Sequence, residues 1–289
     1  MTSATPEIDP QPVEEVRPAL PDIAAGDRDR LAGIRDVRGH VARGMLTNGG
    51  FQIGLLALTA ARGLAVAAFV SRSDYGLWGL VGLTLWTALG LKGQFGAGEK
   101  YIQQSEANQE HAFQRAFTID VIFSCLTIPV AAAVVVGITV GSGNPGVLVP
   151  GLVLLLMVPA MVLQFPVATF YRRMEFRRQR LLQSIDPVVT AAATIGLAVA
   201  GAGYWSLVAG TLIGSWTAAA VIAYLSPFQL RFRYDRGTFG LYARFSAPLV
   251  LNAAAVLALF QTIYLVGSHA IGVAGLGAFT LAGNLVQFT

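Results

Sequence analysis

Charge is scarce in this 289-residue chain. Only 12% of its residues are charged, about half the 25% typical of soluble domains. The shortage is uneven, because long apolar blocks alternate with short basic loops. A soluble core of this size would need far more polar surface to cover it, whereas a bilayer requires lipid-facing positions to be apolar. Cysteine occurs once, at Cys125 inside an apolar block, which excludes a disulfide within the chain and a thiol metal site. His40, His111 and His269 fall in three separate regions between apolar blocks and form no ligand cluster. The sequence has no phosphate-cradling glycine loop, no catalytic triad and no metal signature. Residues 1–46 contain no apolar run, so no cleavable signal peptide is read there.

Apolar length is what the sequence has in abundance. Mean hydropathy is +0.60 and 54% of residues are hydrophobic. Spanning the hydrocarbon core takes about 20 apolar residues as a helix, against about ten for a barrel strand. Residues 47–70, 77–97, 114–140, 147–170, 182–202, 204–225 and 239–266 meet the helical requirement, and an eighth run begins near residue 275. The fold class is therefore all-α, a polytopic transmembrane helix bundle. Residues 1–46 divide off as a cytosolic segment. Prolines alternate with acids over residues 1–27, which offers little to bury. Over residues 28–46, Leu31, Ile34, Val37 and Val41 recur at helical spacing among arginines. That pattern fits an amphipathic helix on an anionic leaflet, and equally a solvated basic flank that orients the first span.

The net charge of +4 follows topology rather than an acidic partner. With a cytosolic N-terminus, sixteen lysines and arginines near the spans fall inside, and Arg72 alone falls in an outside loop. The outside loops, about 71–76, 141–146, 203 and 267–274, are very short. A membrane enzyme acting on an outside substrate needs a loop or domain to hold it, so no enzyme is expected.

Arg62 is the most informative residue. It lies in the first span, roughly 5 Å beyond the centre at 1.5 Å per residue, and costs at least about 2.5 kcal/mol if it faces lipid. Asn48, Gln52, Thr59 and Arg62 share an arc of about 80° on the helix. This polar stripe predicts a hydrated cavity; snorkelling outward or a structural pair with another helix would also accommodate the arginine. Lys92, Asp120 and Asp186 each lie near a predicted cytosolic helix end. Snorkelling accounts for Lys92 and interfacial solvation for the two carboxylates, while Gln94 and nearby glycines also let Lys92 reach the mouth of an inner cavity. Residues 171–180, YRRMEFRRQR, read as a topology determinant and a solvated helix extension, with phosphate binding to lipid headgroups as the alternative. The seventh span carries Pro248, Asn252, Gln261 and Thr262, and its proline loosens the backbone ladder. The glycines at 196, 201, 203, 210 and 214 predict close helix packing.

Several stretches together resemble one family. SRSDYGLWGL at 71–80 is similar to an L-x-P-x-D-Y-G turn, with Ser73 in place of the proline. LGLKGQFGAGEKYIQ at 89–103, ATFYRRMEFRRQRL at 168–181, GAGYWSLVAGTL at 201–212 and LGAFTLAGNL at 276–285 follow in the family's order. The chain thus resembles the polysaccharide exporters, or oligosaccharide flippases, of the multidrug/oligosaccharidyl-lipid/polysaccharide exporter superfamily, over residues 45–289. The resemblance implies two six-helix lobes around a cationic cavity. It also implies alternating access, in which a lipid-diphosphate-linked oligosaccharide crosses the inner membrane for cell-surface polysaccharide synthesis. Related lipid II flippases carry an Arg-Asp pair in the first helix; Arg62 matches the arginine, and Gly63 stands in place of the aspartate. Thr262 stands where the family often has aspartate.

Residues 47–228 are then expected to form one complete six-helix lobe, and 229–289 the start of a second. Such families usually have twelve or fourteen helices, so a second polypeptide or self-association is expected to complete the cavity. The expected substrate-binding residues are Arg62, Asn48, Gln52, Thr59, Lys92 and Asn252. Lipids and the lipid-linked substrate are the expected partners, with no cofactor, metal or nucleic acid. An exporter of small amphipathic molecules and a non-transporting remnant are the competing readings.

Overall fold

A computed structural model of the chain describes residues 37–104, 106 and 108–286. The proline-rich tail and the first part of the basic flank, 1–36, lie outside the described residues. Among those described there is no strand. Ten α-helices follow one another: α1 Val37–Ala67, α2 Arg72–Gln94, α3 Ala97–Gln103, α4 Gln109–Ser142, α5 Leu148–Leu154, α6 Met157–Leu163, α7 Val167–Arg172, α8 Phe176–Val199, α9 Trp205–Tyr224 and α10 Arg236–Val286. Among the described residues six stretches are long and apolar enough to cross a membrane: Gly49–Ala67, Gln109–Ser142, Pro145–Arg172, Phe176–Val199, Trp205–Tyr224 and Arg236–Val256. The all-α, polytopic class read from the apolar runs is the class observed.

The helix ends differ from the sequence reading where side chains cap them. α2 begins at Arg72 rather than residue 77, because the Ser71 hydroxyl accepts from the Asp74 amide at 3.1 Å. This side-chain cap satisfies an amide that has no partner within the helix. α4 likewise begins at Gln109 rather than residue 114, with Asn108 accepting from the His111 amide at 3.0 Å. α1 extends ten residues before its expected start at 47, so the basic flank from Val37 onward continues the membrane helix. The expected 267–274 loop contracts to a break at Gly272 (φ 69°, ψ 171°) inside α10.

The fourth expected span, 147–170, is not one helix. Pro159 has no N–H for the Leu155 carbonyl, which accepts instead from Val158 three residues on, at 3.0 Å. Pro166 withholds its N–H from Val162 in the same way, and Phe165 takes that carbonyl at 3.0 Å. Each missing ladder bond tightens the local turn and breaks the axis. The result is three short helices, α5 to α7, where the apolar run alone predicts one.

The two ends of the bundle are distinct. At one end, Gly203 faces the Asp74 carboxylate and Gly146 lies against Leu77, so the 68–71, 143–147 and 200–204 turns gather there. The other end carries the arginines of residues 172–180 and an aromatic cluster of Tyr101, Phe113, Phe117, Phe123, Phe165 and Tyr242. This basic end also holds the α9–α10 connection. Phe228 lies 5.6 Å from Phe113 and Phe232 5.8 Å from Phe117, while the Arg233 amide donates to the Thr118 hydroxyl at 2.7 Å. α2 runs from one end to the other and packs along α10.

Glycine decides the closest helix pair. A Cβ at Gly210 would lie 2.8 Å from the Thr194 Cα, and one at Gly214 2.8 Å from the Asp186 carbonyl. Both would also collide with the threonine hydroxyls of Thr194 and Thr190. Small residues four apart therefore let α8 and α9 touch backbone to backbone. The other expected packing glycines do something else. Gly196 meets open space, and Gly201 and Gly203 supply left-handed turn conformations (φ 83° and 56°).

Candidate functional site

Lys92 does not snorkel. The last turn of α2 places its Nζ 2.7 Å from Asp120 Oδ2 and 3.1 Å from Ser124 Oγ on α4. Both charged side chains are less than a tenth exposed. The interfacial solvation expected for Asp120 is replaced by this pair, because an isolated charge at that depth is costly. Ser124 cannot donate to the carboxylate, since its own hydroxyl proton goes to the Asp120 carbonyl at 2.7 Å.

The pair faces a cavity of about 350 Å³. α2 contributes Lys92 and Gly93, α3 contributes Glu99, α4 contributes Asp120, and α6 to α8 contribute Met161, Gln164, Phe165 and Gln183. The space exists because the chain turns sharply after α2. Gly96 takes a left-handed conformation (φ 60°), and a side chain there would strike Phe245 of α10. Tyr242 donates to Gln104 Oε1 at 2.9 Å, and the Ser246 hydroxyl donates to the Phe95 carbonyl, so α10 closes over this corner.

Arg62 lies on α1 toward the other end. At 1.5 Å per residue along α1 and α2, it sits about 20 Å from Lys92 along the bundle axis. It is partly buried and within electrostatic reach of Tyr75 on α2 and Asp186 on α8. Asp186 in turn accepts from the Thr190 hydroxyl at 2.9 Å. Gly214 lets α9 press against the turn that carries Asp186. Lys92 is thus ion-paired with a carboxylate from a neighbouring helix, and Arg62 lies within electrostatic reach of one.

The rest of the expected stripe is not gathered around them. Gln52 and Thr59 are exposed on α1, and the Thr59 hydroxyl donates to its own helix at Leu55 O, 2.9 Å. Asn252 is exposed on α10, and Thr262 bonds back to Ala258 O at 2.8 Å. The side chains of Asn48 and Gln261 lie outside the described residues.

The 171–180 block is more than the solvated extension read from its charges. Arg172 donates to the Gln104 carbonyl at 2.7 Å and to the Tyr101 carbonyl at 3.4 Å, capping the end of α3. Arg173 stacks over Phe228 and Arg178 over Phe170. Asp120 and Asp186 are the residues whose roles charge counting missed. Both lie 28 or more residues from the base they serve, and no local pattern joins them.

A family model described as "Polysaccharide biosynthesis protein" matches residues 65–289. No curated protein and no solved structure matches the chain.

Proposed function

Because the chain belongs to this polysaccharide biosynthesis family and is a multi-pass membrane protein, we propose that it moves a lipid-diphosphate-linked oligosaccharide across the cell inner membrane. The observation that carries the reading is a pair of basic side chains, Lys92 and Arg62, held inside the bundle at two depths. A diphosphate crossing the low-dielectric core needs cationic contacts at successive levels. Lys92 meets it near the basic end, which is cytosolic by the distribution of lysine and arginine. Arg62 meets it nearer the outer leaflet, and alternating access passes it between them.

The short turns opposite the basic end support transport over catalysis, since they offer no platform for an acceptor. An exporter of amphipathic cations would need a carboxylate without a base, and Asp120 and Asp186 each have one nearby. The test is reconstitution in vesicles with a fluorescent lipid-linked oligosaccharide. Wild type should move it between leaflets, Arg62→Ala should abolish movement while the protein stays inserted, and Arg62→Lys should keep part of it. Movement no faster than in empty vesicles would overturn the reading.

A further inference from the structure

The Lys92–Asp120 pair has a consequence for how the site loads. Lys92 spends two of its three N–H groups on Asp120 and Ser124 and keeps one for an incoming anion, which then competes with Asp120 for the ammonium's single charge. If the anion wins, Asp120 stays behind as a buried carboxylate, and among the described residues lining the cavity no second base replaces the lost charge. The Ser124 hydroxyl is committed to the Asp120 carbonyl. Gln164 donates its amide to the Ser215 carbonyl at 3.2 Å. The titratable groups facing the cavity are Lys92 from α2, Glu99 from α3 and Asp120 from α4; the polar lining from the α6–α7 junction and α8 is Gln164 and Gln183, which do not titrate. Glu99 adds negative charge and so disfavours a bare Asp120 further.

Resting on the lipid-diphosphate reading above, we infer that the substrate's diphosphate takes Lys92 from Asp120 and that Asp120 then takes up one proton from the bulk solution, given up there by the buffer acid. One O–H bond forms on the carboxylate, the ammonium exchanges a carboxylate acceptor for a phosphate oxygen, and no bond in the substrate changes. The site goes from a neutral Lys–Asp pair to a Lys–phosphate pair beside a neutral carboxyl group. This exchange costs less than burying an uncompensated carboxylate. Loading the substrate therefore draws a proton into the protein, and the dissociation constant rises by up to tenfold for each pH unit over the range where Asp120 is ionised free and protonated when loaded, a limit of about one proton per site.

The probe is farnesyl diphosphate, titrated calorimetrically into the purified full chain in two buffers of unequal ionisation enthalpy, which counts protons taken up per ligand bound. Wild type should take up close to one proton more than Asp120→Asn. Asp120→Asn should still bind, because Lys92 is then free, and Glu99→Gln should keep the wild-type count. Lys92→Met combined with Asp120→Asn removes the pair without leaving a lone charge, and should lose at least tenfold in affinity relative to Asp120→Asn. Equal proton counts in wild type and Asp120→Asn would overturn the inference, as would undiminished binding by the double variant. Absence of binding by wild type at every pH would instead remove the lipid-diphosphate reading, and this inference with it.

Discussion

Lys92 and Asp120 show at the residue scale how burial converts an ordinary charge into a constrained one. Removing one member of a buried pair leaves the other uncompensated, at a typical cost of about 3–5 kcal/mol, whereas replacing both is often neutral. Lys92→Met should therefore lower the thermal midpoint sharply, and Lys92→Met with Asp120→Leu should restore most of it. Scanning fluorimetry in detergent checks this; equal midpoints for the two variants would show that the pair is not coupled. From the sequence, Lys92 was legible as an ionisable residue near a helix end, and so was Asp120. Their pairing was not, because 28 residues and the whole hairpin of α2, α3 and α4 separate them. The same holds for Arg62, whose exceptional position was readable from hydropathy while its approach to Asp186 was not.

Elements are governed here by prolines, glycines and caps. The α8–α9 contact leaves no room for a side chain at Gly210 or Gly214. Gly214→Leu should destabilise the protein by about 1–3 kcal/mol or more through forced separation of the helices. Gly196→Leu meets open space and should change stability by no more than about 0.5 kcal/mol. Denaturation midpoints of the two variants distinguish a packing glycine from a merely permitted one.

α10 offers a pH test at its start. The Asp235 carboxylate accepts from the Thr238 hydroxyl at 2.5 Å and the Thr238 amide at 2.8 Å, and these bonds hold it below the usual carboxylate value. The folded chain is then the weaker proton binder. The cap's stabilisation is complete above the ordinary carboxylate range and is lost as pH falls through the lowered value. The Thr238 amide should lose protection, taken as its exchange rate relative to the intrinsic rate at each pH, in Asp235→Ala at neutral pH, and acidification should lower wild-type protection toward that of the variant. An unchanged exchange rate in the variant would remove the cap's role.

The number and length of apolar runs were readable at this scale, but their continuity was not always. Pro159 and Pro166 were visible in the fourth run, and their spacing signals the breaks that separate α5, α6 and α7. Pro129 and Pro187 show why a proline alone is insufficient as a signal, since each sits inside an unbroken helix, and α10 breaks at Gly272 rather than at Pro248.

For the whole molecule, the basic end should face the cytosol. Cys125→Ala provides a background without the native thiol, into which Ser73→Cys at one end and Arg177→Cys at the other can be introduced, both positions being exposed. In intact cells an impermeant maleimide should label Ser73→Cys and leave Arg177→Cys unreacted until the membrane is opened. The reverse pattern would invert the topology.

The sequence by itself determined the solvent, the helical class and the charge asymmetry of the two ends. These follow from composition and from period and length along the chain, which need no knowledge of neighbours. Tertiary structure alone decided which charges meet. Lys92 finds Asp120 because the left-handed turn at Gly96 and the caps at Asn108 set how α2, α3 and α4 fold back on one another. Asp186 comes near Arg62 because α8 packs along α1, while glycines on α9 let that helix close on α8 from another side. Pairing is a property of distance in space, and in this bundle each distance is fixed by a residue that belongs to neither charge.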